Sequence, residues 1–322
     1  GVEDFGAKVI TAEWVIDAAK RIQPIIEQTP VTKVPQLDIL CKWENYQKTG
    51  SFKLRGASNK VLSLEKSALK GGLVACSAGN HGQGVAFAAT SRGSTCTVFV
   101  PENTSASKID AMRQLGADVR LVRGGYVEAE KQAMAYAQTS GKTFISPYND
   151  AQVIAGQGTL GLELVEQLGG LDGIRSLVVP VGGGGLISGI GVYLSNMKER
   201  PQLIGVQSES SAFAHRVYYS GTQTGVTETE SIAEGLAGEI AHDSITIPLM
   251  RRFVDEIVLV SEEEIRSAIR YCWKKYGERI EGSAAVGLAA RLAGKIQLLP
   301  AALILTGGNI QTELFNEIIQ SK

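Results

Sequence analysis

Short, mostly apolar runs that stop abruptly and hand over to helical spacing recur along this chain, and nothing else in it limits the fold as strongly. Strands are expected from Leu73 to Cys76, Cys96 to Val100, Val119 to Val122, Thr143 to Ser146, Leu177 to Val181, Leu203 to Gln207, Ile257 to Val260 and Ala301 to Leu305. Between them the spacing predicts helices from about Gln83 to Thr90, Ser107 to Leu115, Val127 to Gln138, Ala151 to Leu168, Leu186 to Asn196 and Ser211 to Tyr219. Two more follow a Ser261–Glu264 capping box and Glu281-Gly282-Ser283. Strand and helix in alternation is the pattern of an α/β fold, a parallel sheet covered on both faces. Ahead of this series, Thr11 to Gln28 reads as a helix kinked at Pro24, and Leu37 to Trp43 as a strand. Gly156, Gly158 and Gly161 weaken the Ala151–Leu168 helix, so close packing must compensate.

Composition narrows the class. With 322 residues, 44% hydrophobic and 20% charged, the chain can bury one large or two modest cores. A net charge of −1 gives no electrostatic footprint for nucleic acid. Cys41, Cys76, Cys96 and Cys272 are widely spaced, which suits small hydrophobes of a reducing compartment rather than disulfides or a metal site. Glu3, Asp4, Lys8 and Glu13 interrupt any leader-like apolar run, and no segment has the length of a membrane span, so a cytoplasmic protein is expected.

Four stretches could carry chemistry. Lys53 sits between Phe52 and Leu54, after a Thr49-Gly50 turn and a Ser51 that can cap a helix beginning at Phe52. Burial there would disfavour its ammonium form and improve it as nucleophile or base; a solvated lysine in a helix's first turn is the plain alternative. Gly182-Gly183-Gly184-Gly185 joins a buried strand to a helix, where free N–H groups and the helix N-terminus suit a phosphate. A dinucleotide is one candidate, with Glu209 for the ribose, but Ser188 stands where the third fingerprint glycine belongs. The Ser77–Gly84 loop offers N–H groups and the side chains of Ser77, Asn80 and His81 to a carboxylate. Thr306-Gly307-Gly308-Asn309 is a further strand-end loop, and Gly221 to Ser231 reads as a loop over the surface or the site. His215 and His242 lack partners at metal or triad spacing and read as structural.

Taken in order, Lys-Thr-Gly-Ser-Phe-Lys, Ser-Ala-Gly-Asn-His, Gly-Gly-Gly-Gly-Leu and Thr-Gly-Gly-Asn resemble the pyridoxal-phosphate enzymes of the tryptophan-synthase-β fold (fold type II), above all the serine/threonine dehydratase and serine racemase group. The likeness extends to Val153–Thr159 and Val254–Val258. It implies two open, mostly parallel twisted sheets with helices on both faces. The cofactor would lie in the cleft between a large domain (1–70 and 149–322) and a smaller one (71–148). It also implies roles: Lys53 as Schiff-base lysine and base at Cα, Phe52 packed on the cofactor ring, and Asn80 on the ring hydroxyl. Gly182, Gly183, Gly184, Gly185 and Leu186 would hold the phosphate and Thr306 the pyridine nitrogen. Ser77, Ala78, Gly79, Asn80 and His81 would meet the substrate carboxylate. A homodimer or higher homo-oligomer is the family expectation.

Two departures refine the reading. Ala78 takes the place of the serine that racemases of this group resemble each other in having, which favours elimination over racemisation. Gln207, Ser211 and Phe213 stand where metal-binding relatives carry carboxylates, so no metal site is expected. The resemblance thus points to β-elimination of L-threonine, and of L-serine, to a 2-oxo acid and ammonia. Alternatives are another β-hydroxy amino acid such as 3-phenylserine or 3-hydroxyaspartate, β-replacement, serine racemisation, and a nicotinamide-dependent dehydrogenase using the Gly182–Gly185 loop.

Overall fold

A computed structural model gives the structure of residues 10–321; Glu3, Asp4 and Lys8 lie outside the described residues. Ten strands form two sheets. The larger contains β1 (Val31–Val34), β2 (Ile39–Trp43), β7 (Ser176–Pro180), β8 (Gln202–Ser208), β9 (Glu256–Val260) and β10 (Ala301–Leu305), in the order β1-β2-β10-β7-β8-β9. The smaller has the order β5-β4-β3-β6, from β3 (Leu73–Cys76), β4 (Cys96–Pro101), β5 (Asp118–Val122) and β6 (Thr143–Phe144). All pairings are parallel except β1 with β2. The strands β7, apolar after Ser176, and β10, apolar throughout, sit side by side at the centre, buried at every position, as strands covered on both faces must be.

Helices cover both faces of the large sheet. Glu262–Tyr276 and Gly282–Leu292 share one core with β2, β8 and β10, while Ala151–Leu168, Gly185–Leu194 and Thr246–Phe253 share the other. The helix Ala151–Leu168 also crosses the helix Lys53–Ser63, and its glycines make both crossings possible. A Cβ on Gly156 would lie 2.6 Å from the Arg55 carbonyl, and one on Gly158 2.6 Å from that of Gly189. The propensity cost of these glycines is offset by backbone approach that no other residue allows.

At the same crossing lies a buried ionic cluster whose members are far apart in the chain and carry no local signal. Arg55 donates from Nε and Nη2 to Glu44 at 2.6 and 3.0 Å, and from Nη2 to Glu163 at 2.8 Å. Lys42 pairs with Glu163 and also donates to the Thr29 carbonyl at 2.7 Å. Arg55 and Glu44 are completely shielded from solvent. Burial opposes the charge on Arg55, but the two carboxylates more than offset it and hold its pKa above the ordinary value.

The structure corrects several expected boundaries. The first helix is Ala12–Ile22 and ends before Pro24 rather than kinking through it, because proline brings no N–H and its ring clashes one turn back. The helix Asn80–Ser91 begins three residues earlier than expected, since Gly82 and Gly84 are tolerated where packing is tight. The Lys53 helix is capped at Phe52, not begun there; Ser51 instead bridges to Gly307 while its Oγ accepts the Lys53 N–H at 3.3 Å. Three elements were not expected at all, the six-residue helix Lys66–Gly71 among them. Strand β1 is four residues at a sheet edge, too short to show a period. The helix Thr246–Phe253 carries Pro248 in its first turn, where the missing N–H costs nothing.

Candidate active site

Each stretch singled out for chemistry follows the carboxyl end of a parallel strand: Glu44 to Lys53 after β2, Ser77 after β3, Gly182 after β7 and Thr306 after β10. In parallel sheets those ends share one edge, and ligands bind where the connections diverge. Here the edges of the two sheets meet.

The Lys53 and Thr306 stretches are joined backbone to backbone. Phe52 N–H donates to the Thr306 carbonyl at 3.0 Å and Gly308 N–H to the Gly50 carbonyl at 3.0 Å. The Asn80 end of its helix is tied to both, because Asn309 Nδ2 donates to Asn80 Oδ1 at 2.7 Å and to the Thr49 carbonyl at 2.9 Å. Lys53 Nζ lies 5.2 Å from the Phe52 ring centroid and, among the described residues, reaches only the Pro147 carbonyl, at 3.5 Å. Lys53 is partly buried, and the hydration its amine loses pushes its pKa down from 10.5 to about 8, with Glu281 pulling the other way. This is not the setting of a fully solvated surface lysine.

His81 is buried. Its Nε2 contacts the Ile145 carbonyl at 2.9 Å; a carbonyl only accepts, so Nε2 carries the proton and Nδ1, without a partner, does not. Burial, then the Lys53 charge, push its pKa down to about 3, so it stays neutral. Ser77 Oγ accepts the Gly79 N–H at 3.1 Å and shapes the loop through Ala78.

The tetraglycine loop sits across from Lys53, beyond Pro147 and Tyr148. Gly184 has φ of +89°, and a Cβ on Gly183 would overlap the Tyr148 ring. The loop leads straight into the helix Gly185–Leu194 and Leu186. Thr306 is buried, and among the described residues its hydroxyl has no hydrogen-bond partner. A side-chain-free cradle at a helix N-terminus, a partly buried amine of lowered pKa and an uncommitted hydroxyl together fit pyridoxal phosphate.

Glu281 is the member of the site that the sequence reading passed over as a helix start. It caps the helix Gly282–Leu292, accepts from Asn80 Nδ2 at 2.9 Å and from the Asn309 N–H at 2.9 Å. Burial, aided by Glu234, lifts its pKa to about 7 against those hydrogen bonds. Only its spacing in the fold reveals it; nothing in Glu-Gly-Ser marks a site. Asn80 is therefore already engaged by Glu281 and Asn309. Glu209, the acid a dinucleotide would need, lines a separate pocket of about 460 Å³ with His215, Arg216 and Tyr219 that includes none of the tetraglycine loop. His242 is exposed beside Glu239 at 3.1 Å.

Comparison with known proteins agrees with this chemistry. Residues 22–307 match the model of the pyridoxal-phosphate dependent enzyme family. The chain is 39% identical over 319 residues to an L-threonine ammonia-lyase of Thermotoga maritima, covering 97% of this chain and 78% of that protein. It is 38% identical over 320 residues to the catabolic L-threonine dehydratase TdcB of Escherichia coli K12, covering 96% of each. Its structure superposes on that of maize serine racemase with a TM-score of 0.89 at 28% identity, covering 97% of both chains. By its sequence and its fold, the chain belongs to the pyridoxal-phosphate dependent enzymes of fold type II.

Proposed function

We propose that this chain deaminates L-threonine, and L-serine, by β-elimination to a 2-oxo acid and ammonia. The observation that carries the proposal is the partly buried Lys53 amine, with a pKa lowered to about 8, on one side of Pro147 and Tyr148 and the glycine cradle on the other. Relatives named as threonine ammonia-lyase and threonine dehydratase support the substrate class.

When bound, pyridoxal phosphate supplies an electron sink that acidifies the substrate Cα–H and eases loss of the β-hydroxyl. Lys53 is the residue that would hold the cofactor, and its Nζ would take the proton from the substrate Cα; a pKa near 8 leaves it a competent base near neutrality. Gly182 to Gly185 and Leu186 would hold the phosphate through backbone N–H groups, and Phe52 would pack beside the ring. Thr306 would offer the pyridine nitrogen a neutral hydroxyl, which does not protonate it and so would favour prompt loss of the β-hydroxyl. Asn80, held by Glu281 and Asn309, faces the ring hydroxyl. Ser77, Ala78, Gly79, Asn80 and His81 receive the substrate carboxylate, and the neutral His81 competes for no proton with Lys53. Ala78 offers no acid on the opposite face, so elimination rather than racemisation follows. The small-sheet segment, residues 71–148, acts as its own domain against 1–70 and 149–322, with the site in the cleft.

The test is direct. The purified protein is expected to be yellow, to fix the colour onto Lys53 on borohydride reduction, and to release 2-oxo acid from L-threonine. A Lys53→Ala variant that released 2-oxo acid at the wild-type rate would sink the proposed base. L-serine racemised as fast as it is deaminated would refute the role given to Ala78.

A further inference from the structure

The tetraglycine loop is not free to choose its own orientation. Thr246, completely buried in the first turn of the helix Thr246–Phe253, donates its hydroxyl to the Gly183 carbonyl at 2.6 Å. A hydroxyl has one proton, so in the 2.7 Å contact between the Ser244 and Thr246 hydroxyls Ser244 is the donor. Ser244 in turn accepts the Thr246 N–H at 3.2 Å, which fixes its rotamer. On the other side, the Tyr148 ring occupies the space a Gly183 side chain would need. The Tyr148 hydroxyl accepts the Ala241 N–H at 2.9 Å, and the Ser244 N–H closes a turn onto the Ala241 carbonyl at 2.9 Å. The Gly183–Gly184 peptide is thus gripped between two side chains whose far ends meet in one turn.

The grip has a directional consequence. In a trans peptide the C=O and the following N–H point opposite ways. With the Gly183 carbonyl drawn to Thr246, the Gly184 N–H must point away from it. Among the described residues that N–H has no partner. Gly184 holds its φ of +89° with Met250 and Thr246 packed where a Cβ would go, so only glycine can keep the loop in this conformation.

We infer that Thr246, oriented by Ser244, is a positioning residue that aims the Gly184 N–H at the cofactor's phosphate. The inference rests on the pyridoxal-phosphate reading of the site. It predicts a defect confined to the phosphate, which a general packing role would not produce.

The measurement is the dissociation constant of the cofactor-free protein for pyridoxal phosphate and for pyridoxal, which lacks the phosphate, each read from the absorbance of the lysine-bound aldehyde. Thr246→Val keeps the volume and removes the hydroxyl. It is expected to weaken pyridoxal phosphate about 10- to 100-fold, the worth of a hydrogen bond to a charged group, while changing pyridoxal less than twofold. Thr246→Ser, which restores the hydroxyl, returns the phosphate preference to within about threefold of wild type, and Ser244→Ala gives a smaller loss in the same direction. Equal weakening of both aldehydes, or no change in their ratio in any of the three variants, overturns the inference. A wild-type protein that captured neither aldehyde at Lys53 would overturn the cofactor reading itself, and this inference with it.

Discussion

Replacing Arg55 with methionine should destabilise the protein severely, and the buried cluster gives the size. Among the described residues Arg55 is the only side chain that binds both Glu44, at 2.6 Å, and Glu163, at 2.8 Å, and neither it nor Glu44 touches solvent. In Arg55→Met the cluster holds two carboxylates and one ammonium, Lys42, which pairs with Glu163. Glu44 keeps only the Thr29 hydroxyl, at 2.6 Å. Stranding one buried charge costs about 3–5 kcal/mol, which corresponds to a fall in melting temperature on the order of 10 °C. Adding Glu44→Gln removes the stranded charge and leaves the Lys42–Glu163 pair balanced. The double variant should therefore be more stable than Arg55→Met alone, with a coupling of about 1–3 kcal/mol in a four-variant cycle followed by urea unfolding. Additive losses, or a cost below about 1 kcal/mol for Arg55→Met, would refute the reasoning.

Two further outcomes concern pH. Because burial lowers the Lys53 pKa to about 8, capture of pyridoxal phosphate by the cofactor-free protein should rise about tenfold per pH unit up to pH 8 and then level off; a rate still climbing at pH 9.5 would mean an ordinary, hydrated lysine. Glu281, lifted by burial to about 7, is ionised above that pH, where both its oxygens can accept from Asn80 and Asn309. L-threonine turnover by the cofactor-saturated enzyme should accordingly fall as pH drops through 7, and Glu281→Gln should lose that limb; the same limb in the variant would remove Glu281 from the account.

The chain's own order fixed a good deal. Apolar runs such as Leu177–Val181 read as strands covered on both faces, and Gly182 to Gly185 after such a run suits a backbone cradle, because both readings follow from local sterics and periodicity. The four motifs in sequence identified the family before any geometry was known. Other features depend on groups brought together from far apart. Glu281 looks like a helix cap until Asn80, Asn309 and Lys53 surround it, and its raised pKa is a property of burial that no neighbour in sequence encodes. Thr246 follows an unremarkable Ser-Ile and precedes a proline that reads as a break, yet the fold sets its hydroxyl 2.6 Å from a carbonyl 63 positions earlier. Lys53 joins the two kinds of information. Its motif could be read from the chain, but whether its amine was hydrated or enclosed was decided only when Phe52, Pro147 and the Thr306 loop closed around it, since desolvation is a sum over neighbours in space.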